Sequence, residues 1–181
     1  MEVKLTAQDL WLSTLIFGLA GLLLLLPLLF VFHPAAFQRA GWSLAIASGV
    51  SWGVMATIAI FVFWDLYYQY IFPAWAHRWA PLDALLYTAI GLGMWWLACR
   101  LPGSPVFWFV LLGGLEGIVE HVLGVYGQHI LEKVPMLQGA PVALVILFSF
   151  FEYVLYWSIV AWLGFALLRL GQWLVPSLRS G

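Results

Sequence analysis

Residues 10–32 read LWLSTLIFGLAGLLLLLPLLFVF, a long run without a charged side chain. An α-helix needs about 20 apolar residues to cross the ~30 Å hydrocarbon core of a bilayer. The run is longer than the apolar part of a signal peptide, so we expect it to be a retained transmembrane helix. His33 and Pro34 follow it directly and mark its end.

Four further apolar runs follow, each bounded by Pro, Gly or charged residues. They cover residues 41–64, 82–98, 106–128 and 142–170. Pro and Gly at such boundaries are typical of helix ends. No internal repeat or low-complexity linker separates the runs. The sequence therefore predicts a single all-α domain over residues 1–181, an integral membrane bundle of five transmembrane helices.

The composition indicates the same class. The chain is 65% hydrophobic and 8% charged, whereas soluble domains carry about 25% charged residues. Its formal net charge is −1 and it has no basic tract, which argues against a nucleic-acid partner. Cys99 is the sole cysteine, so an intrachain disulfide and a thiolate metal cluster are excluded. We expect a tryptophan-rich protein of the bacterial inner membrane, with many indole rings at the headgroup level.

The fourth run has one polar face. Residues 112–128 read LGGLEGIVEHVLGVYGQ. On a helix of about 3.6 residues per turn, Glu116, Glu120 and His121 share an arc of about 160° with a glutamine and five glycines. The opposite arc is aliphatic apart from one tyrosine. Because ionisable groups facing lipid are costly, we expect the polar face to point into the bundle or a wet cavity.

This face has a structural and a functional interpretation. Glycines let another helix, or a flat ligand, approach the backbone closely, and polar groups beside them form hydrogen bonds between helices. However, Glu116 and Glu120 lie one turn apart on the same side. Two carboxylates that close do not both stay ionised in a low dielectric without a metal ion, a shared proton or a basic partner. The functional interpretation is a buried Glu/His site.

Other chemically active residues lie toward the same end of the predicted bundle. Glu152, about 18 Å along the fifth run, is at the depth of the glutamate pair. Asp65 ends the second run at the face where the fourth run exits, and His77 and His129 lie in the loops there. We expect the site to open toward these loops, residues 65–81 and 129–140.

These residues predict a membrane-embedded enzyme that acts on a hydrophobic small molecule of lipid-, isoprenoid- or quinone-like character. The candidate acid–base residues are Glu116, Glu120, Glu152 and Asp65. The candidate metal ligands are Glu116, Glu120, His121 and Glu152. Such a carboxylate-rich set with one imidazole suits a divalent ion such as iron, manganese or zinc.

Three alternatives remain open at this point. A descending series of Asp, Glu and His side chains is typical of proton relays, which predicts a proton- or ion-translocating protein. An oligomer or an integral subunit of a larger complex would pair its carboxylates with another chain. A b-type haem protein would need a second histidine at the depth of His121, which His77 reaches only if its loop folds inward.

Overall fold

The computed structural model describes residues 7–31, 49–50, 52–55, 57–58, 80–129, 134 and 136–174. These residues form helices and turns, with no β-strand among them. The long helices, in chain order, are α1 (Ala7–Val31), α2 (Ala80–Ala98), α3 (Pro105–Val122) and α4 (Val142–Leu174). A π-helical turn, Leu123–Gly127, continues α3.

Within the described residues, three helical stretches are long and apolar enough to cross a membrane. They are Gln8–Phe30, Pro105–Gly127 and Val142–Leu174. A shorter apolar stretch, Ala84–Ala98, lies in α2. The prediction of helices long and apolar enough to span a membrane is thus confirmed for the first, fourth and fifth runs, and the third run is helical. The second run lies largely outside the described residues, so a bundle of five spans stays a prediction.

Helix α4 packs along both α1 and α3. Gly21 of α1 lets the two backbones approach closely, because a Cβ at this position would lie 3.1 Å from the backbone nitrogen of Leu155. Farther along the same contact, the indole Nε1 of Trp162 donates a hydrogen bond of 3.0 Å to the carbonyl of Leu24. Close backbone packing and an interhelical hydrogen bond are typical of association between helices in lipid.

The buried side chains form two clusters. An aromatic cluster joins α2, α3 and α4, and its large members include Trp52, Tyr87, Trp95, Phe109, Tyr153, Tyr156 and Trp157. An aliphatic cluster joins α1, the end of α3 and the first half of α4, and includes Leu10, Phe17, Val125, Met136, Leu144, Val145 and Phe148. The ring of His121 contacts Tyr153 of the first cluster and Phe148 of the second, with centroids 5.7 and 6.1 Å away. The polar face of α3 therefore meets the boundary between the clusters.

The turn from α2 to α3 is held by tryptophan and arginine side chains. Arg100 lies 3.5 Å above the ring of Trp96 and donates a 2.8 Å hydrogen bond to the Trp96 carbonyl. Trp108 donates its indole N–H to the carbonyl of Pro102 at 2.6 Å. Amphipathic side chains of this kind are expected where a helix leaves the bilayer. Trp95, beside Trp96, is instead buried in the aromatic cluster.

At its other end, α3 finishes in the π-helical turn, and His129 follows with a left-handed φ of 56°. Met136 and Leu137 are buried against the aliphatic cluster and cover much of this end of the bundle. An open cleft of about 390 Å³ remains beside them. It is lined by Val125, Tyr126, His129, Leu137, Gln138, Gly139 and Ala140. This cleft lies at the end of α3 where the site was expected to open. Residues 65–79 lie outside the described residues, so the opening of the site toward them stays a prediction.

Candidate functional site

Along α3, the polar arc is largely buried and the apolar arc is largely exposed, except that the two glutamates are only partly buried. His121 and the glycines of the polar arc up to Gly124 are buried, whereas Leu115, Val119 and Leu123 are about half exposed. Glu116 and Glu120 are partly exposed and lie at the border between the two arcs. The glycines and the imidazole thus point into the bundle, while the carboxylate pair lies beside the exposed apolar surface of α3.

Aromatic rings of α4 pack against three glycines of α3. The ring partners are Trp157 for Gly113, Phe150 for Gly114 and Tyr153 for Gly117. A Cβ at any of these positions would overlap the ring beside it. At these three positions it is another helix, and not a flat ligand, that approaches the backbone of α3. Their small size serves close helix packing, which is the structural interpretation.

Glu120 joins three helices through its carboxylate. The hydroxyl of Tyr87, on α2, donates to Oε1 at 2.6 Å. The hydroxyl of Tyr153, on α4, donates to Oε2. Both tyrosines are buried. Because each oxygen accepts from a different helix, the position of this carboxylate is fixed by the packing of α2, α3 and α4 together.

Glu116 has one engaged oxygen and one without a partner. The indole Nε1 of Trp157 donates to Oε2 at 3.1 Å. The other oxygen, Oε1, is buried and has no hydrogen-bond partner in the described part of the chain. The Glu116 carboxyl also interacts with that of Glu120 one turn away. Buried polar atoms are normally hydrogen-bonded, so the free oxygen requires an explanation.

His121 and Glu152 form a second pair, deeper between α3 and α4. Nε2 of His121 lies 3.2 Å from Oε2 of Glu152, and the side chains are 4% and 9% exposed. The contact is an ion pair when the imidazole is protonated. The other ring nitrogen, Nδ1, lies 3.1 Å from the Gly117 carbonyl, to which it can donate.

The three contacts between α3 and α4 share one antiparallel register. Glu116 meets Trp157, Glu120 meets Tyr153, and His121 meets Glu152. From the first contact to the second, the chain advances four residues along α3 and goes back four along α4. From the second contact to the third, it advances one residue along α3 and goes back one along α4. Residues four apart lie on one face of a helix. A single relative orientation of α3 and α4 therefore allows all three contacts at once.

A fourth polar group lies in the same region. The hydroxyl of Tyr156 is buried and has no hydrogen-bond partner among the residues described. The ring of Tyr156 contacts those of Tyr153 and Trp157, with centroids 5.4 Å away in each case. Its hydroxyl lies close enough to the carboxyls of Glu116 and Glu120 to interact with them electrostatically. Tyr156 thus belongs to the surroundings of the glutamate pair.

The structure brings together four of the predicted site residues and leaves others aside. Glu116, Glu120, His121 and Glu152 lie in one region between α3 and α4. Asp65 and His77 lie outside the described residues, so their place in the site stays a prediction. His129 lies at the cleft, beyond the end of α3.

The predicted metal ligands do not converge on one point. Among the residues described, no three His, Cys, Asp or Glu side chains are grouped so that they could hold a metal ion. Instead the set divides into a glutamate pair held by aromatic donors and a His121–Glu152 pair. The haem alternative gains no support either, because one ring nitrogen of His121 faces Gly117 and the other faces Glu152.

Sequence reasoning missed one central residue. Tyr87 donates to Glu120, yet α2 was not expected to contribute to the site. The sequence feature that could have indicated Tyr87 is its hydroxyl, because a hydroxyl in the middle of an apolar run needs a hydrogen-bond partner. Tyr153 and Trp157 lie close to Glu152 in the sequence. Their bonds to the two glutamates depend on a register between α3 and α4 that the sequence does not show.

Comparison of the chain with protein-family models, curated protein sequences and solved structures finds no match. The function of the site is therefore inferred from its own geometry and chemistry.

Proposed function

We propose that the protein moves protons within the membrane, using the Glu116–Glu120 pair as the group that binds and releases them. The main support for this proposal is the chemistry of the hydrogen-bond donors to the two carboxylates. Two phenols and an indole donate to the carboxylates. All three donors are neutral.

The charge of the pair supports a proton as its natural ligand. In the described part of the chain, neither glutamate forms an ion pair with a Lys or Arg. Two adjacent carboxylates in a low dielectric take up a proton when no cation is supplied, and the pair then titrates as a unit. Ionisable groups at such positions in membrane proteins commonly take part in proton transfer.

The His121–Glu152 pair lies on the side of the glutamate pair that is nearer the cleft along α3. Tyr153 connects the two pairs, because its hydroxyl donates to Glu120 and its ring contacts His121. Val125, one turn beyond His121 on the same helix, lines the cleft. Protons would then move between the cleft and the glutamate pair through His121 and Glu152.

Proton movement into proteoliposomes tests this proposal. A pH-sensitive dye trapped inside the vesicles reports influx driven by a potassium diffusion potential. We expect Glu120→Gln and Glu116→Gln to lower the rate at least tenfold, since each removes one carboxyl of the pair. Ser158→Ala is the matched control, because it removes a buried hydroxyl of α4 that donates to the carbonyl of Val154 in its own helix. Equal rates in the wild type and both glutamine variants would refute the proposal.

An acid–base enzyme acting on a lipid-like substrate is the second candidate. It is favoured by the partial exposure of Glu116 and Glu120 beside the lipid-facing arc of α3. A substrate dissolved in the bilayer would reach the carboxylates from the side. Mass spectrometry of lipids from membranes that contain the wild type or Glu120→Gln tests this function. A product present with the wild type and absent with the variant would support it, and identical lipid profiles would count against it.

A further inference from the structure

We propose that the glutamate pair also binds the protonated amino group of a lipophilic amine, which takes the place of the proton on the pair. The amino group would lie between Oε1 of Glu116 and the hydroxyl of Tyr156. This inference rests on the proposed function, because it names a second ligand for the same site and makes the protein an exchanger of protons for organic cations.

Two buried polar atoms are available to a ligand that displaces the proton of the pair. Oε1 of Glu116 is an acceptor without a partner in the described part of the chain, and so is the hydroxyl oxygen of Tyr156, which is 4% exposed. The oxygens of Glu120 are already engaged by two tyrosines. An ammonium N–H could donate to the first acceptor and a second N–H to the other, which would satisfy both atoms at once.

The walls of the site also suit a cation. The rings of Tyr87, Tyr153, Tyr156 and Trp157 surround the glutamate pair and contact one another, with centroids between 5.4 and 6.4 Å apart. Aromatic faces attract ammonium groups, and most strongly where water is excluded. A carboxylate pair inside such a ring of aromatics therefore favours an organic cation over an anion or a neutral molecule.

The position of the pair selects an amine that dissolves in lipid. Glu116 and Glu120 lie at the edge of the arc that exposes Leu115, Val119 and Leu123. A ligand that enters from this side crosses hydrocarbon before it reaches the carboxylates. We therefore expect a compound with a charged amino head and an apolar body, rather than a small hydrophilic amine.

The charge balance of the exchange is simple. The pair carries one proton before the amine binds. The amine arrives in its protonated form, and the proton of the pair leaves to water through the cleft as the ammonium takes its place. The net charge of the site is the same in both states, so neither state leaves two uncompensated carboxylates in the membrane.

Isothermal titration calorimetry in lipid nanodiscs tests the inference with three probes of similar shape. These are phenethylamine, its N,N,N-trimethyl derivative and 2-phenylethanol. We expect phenethylamine to bind most tightly, because it alone combines a positive charge with N–H donors. We also expect about one proton to be released per bound amine, which titrations in buffers of different ionisation enthalpy measure.

Variants locate the binding. Glu116→Gln and Tyr156→Phe should each weaken phenethylamine binding about tenfold to a hundredfold, the range for loss of a hydrogen bond to a charged group. Ser158→Ala should bind like the wild type. Heat no greater than that of empty nanodiscs, equal affinity for the alcohol, or displacement of phenethylamine by sodium ions alone would overturn the inference.

The influx and binding experiments distinguish failure of the proton function from failure of the amine site. Proton influx that depends on Glu120 together with no amine binding would remove the amine and leave the proton function. Amine binding with proton release, together with influx that does not change in Glu120→Gln, would remove the proposed uncoupled proton movement and leave the exchange.

Discussion

His121 of α3 and Glu152 of α4 face each other inside the bundle, with Nε2 and Oε2 3.2 Å apart and both side chains almost fully buried. The pair connects two helices at a point where the aromatic and aliphatic clusters meet. A polar contact at this depth needs its partner, because no water competes for either group.

Loss of Glu152 should therefore weaken the fold as well as the proposed proton route. We expect Glu152→Leu to lower the free energy of unfolding by about 1–2 kcal/mol, the upper part of the range for polar contacts between membrane helices. Unfolding by SDS in bicelles measures the change. In a double-mutant cycle with His121→Phe, the combined loss should be smaller than the sum of the single losses. Strict additivity would mean that the two side chains do not interact.

Gly117 should not tolerate even one added methyl group. Its Cβ would overlap the ring of Tyr153, which would push that ring away from Glu120 and separate α3 from α4. We expect Gly117→Ala to cost about 1–3 kcal/mol of stability, as overpacked cores do. Gly93→Ala on α2 is the matched control, because a Cβ at that glycine would meet nothing within 4 Å. Similar stability losses in the two variants would contradict the packing role of Gly117.

The two phenols that donate to Glu120 should act together on proton transfer. Tyr87→Phe and Tyr153→Phe each leave the carboxylate with one donor, so we expect either to slow proton influx and both together to slow it more. Infrared difference spectra of the glutamate carboxyl bands should shift in each variant. Thr88→Val on α2 is the control, since the hydroxyl of Thr88 bonds to the carbonyl of Ala84 in its own helix. Unchanged spectra in both tyrosine variants would exclude these hydrogen bonds.

The ends of α3 should lie on opposite sides of the membrane. Cys99 is close to the turn that precedes α3, and Gln128 follows its π-helical turn. We expect a membrane-impermeant maleimide to label Cys99 from one side of oriented vesicles. The same reagent should label Gln128→Cys, in a Cys99→Ser background, only from the other side. Labelling of both positions from the same side would contradict a membrane-spanning α3.

The sequence was sufficient to predict which face of α3 is polar and which faces outward. That prediction depends on the helical period alone, and the burial of His121 and the exposure of Val119 agree with it. The period does not show how far one helix is rotated and shifted against another. For this reason the sequence did not predict that Tyr87 would reach Glu120, or that Tyr153 and Trp157 would occupy the glycine positions. Helix rise did place Glu152 near the depth of the polar face, but its contact is His121 rather than the glutamate pair.

The common register of α3 and α4 restricts how the sequence of this chain can evolve. Substitution of a single contact residue alters one contact and leaves the others in place. By contrast, insertion or deletion of one residue between Glu116 and His121, or between Glu152 and Trp157, would turn part of a helix by about 100°. The contacts on one side of that residue would then be lost together. Length variation in homologous chains should therefore be confined to the segments outside the two helices, and the intervals between these six residues should be inherited unchanged.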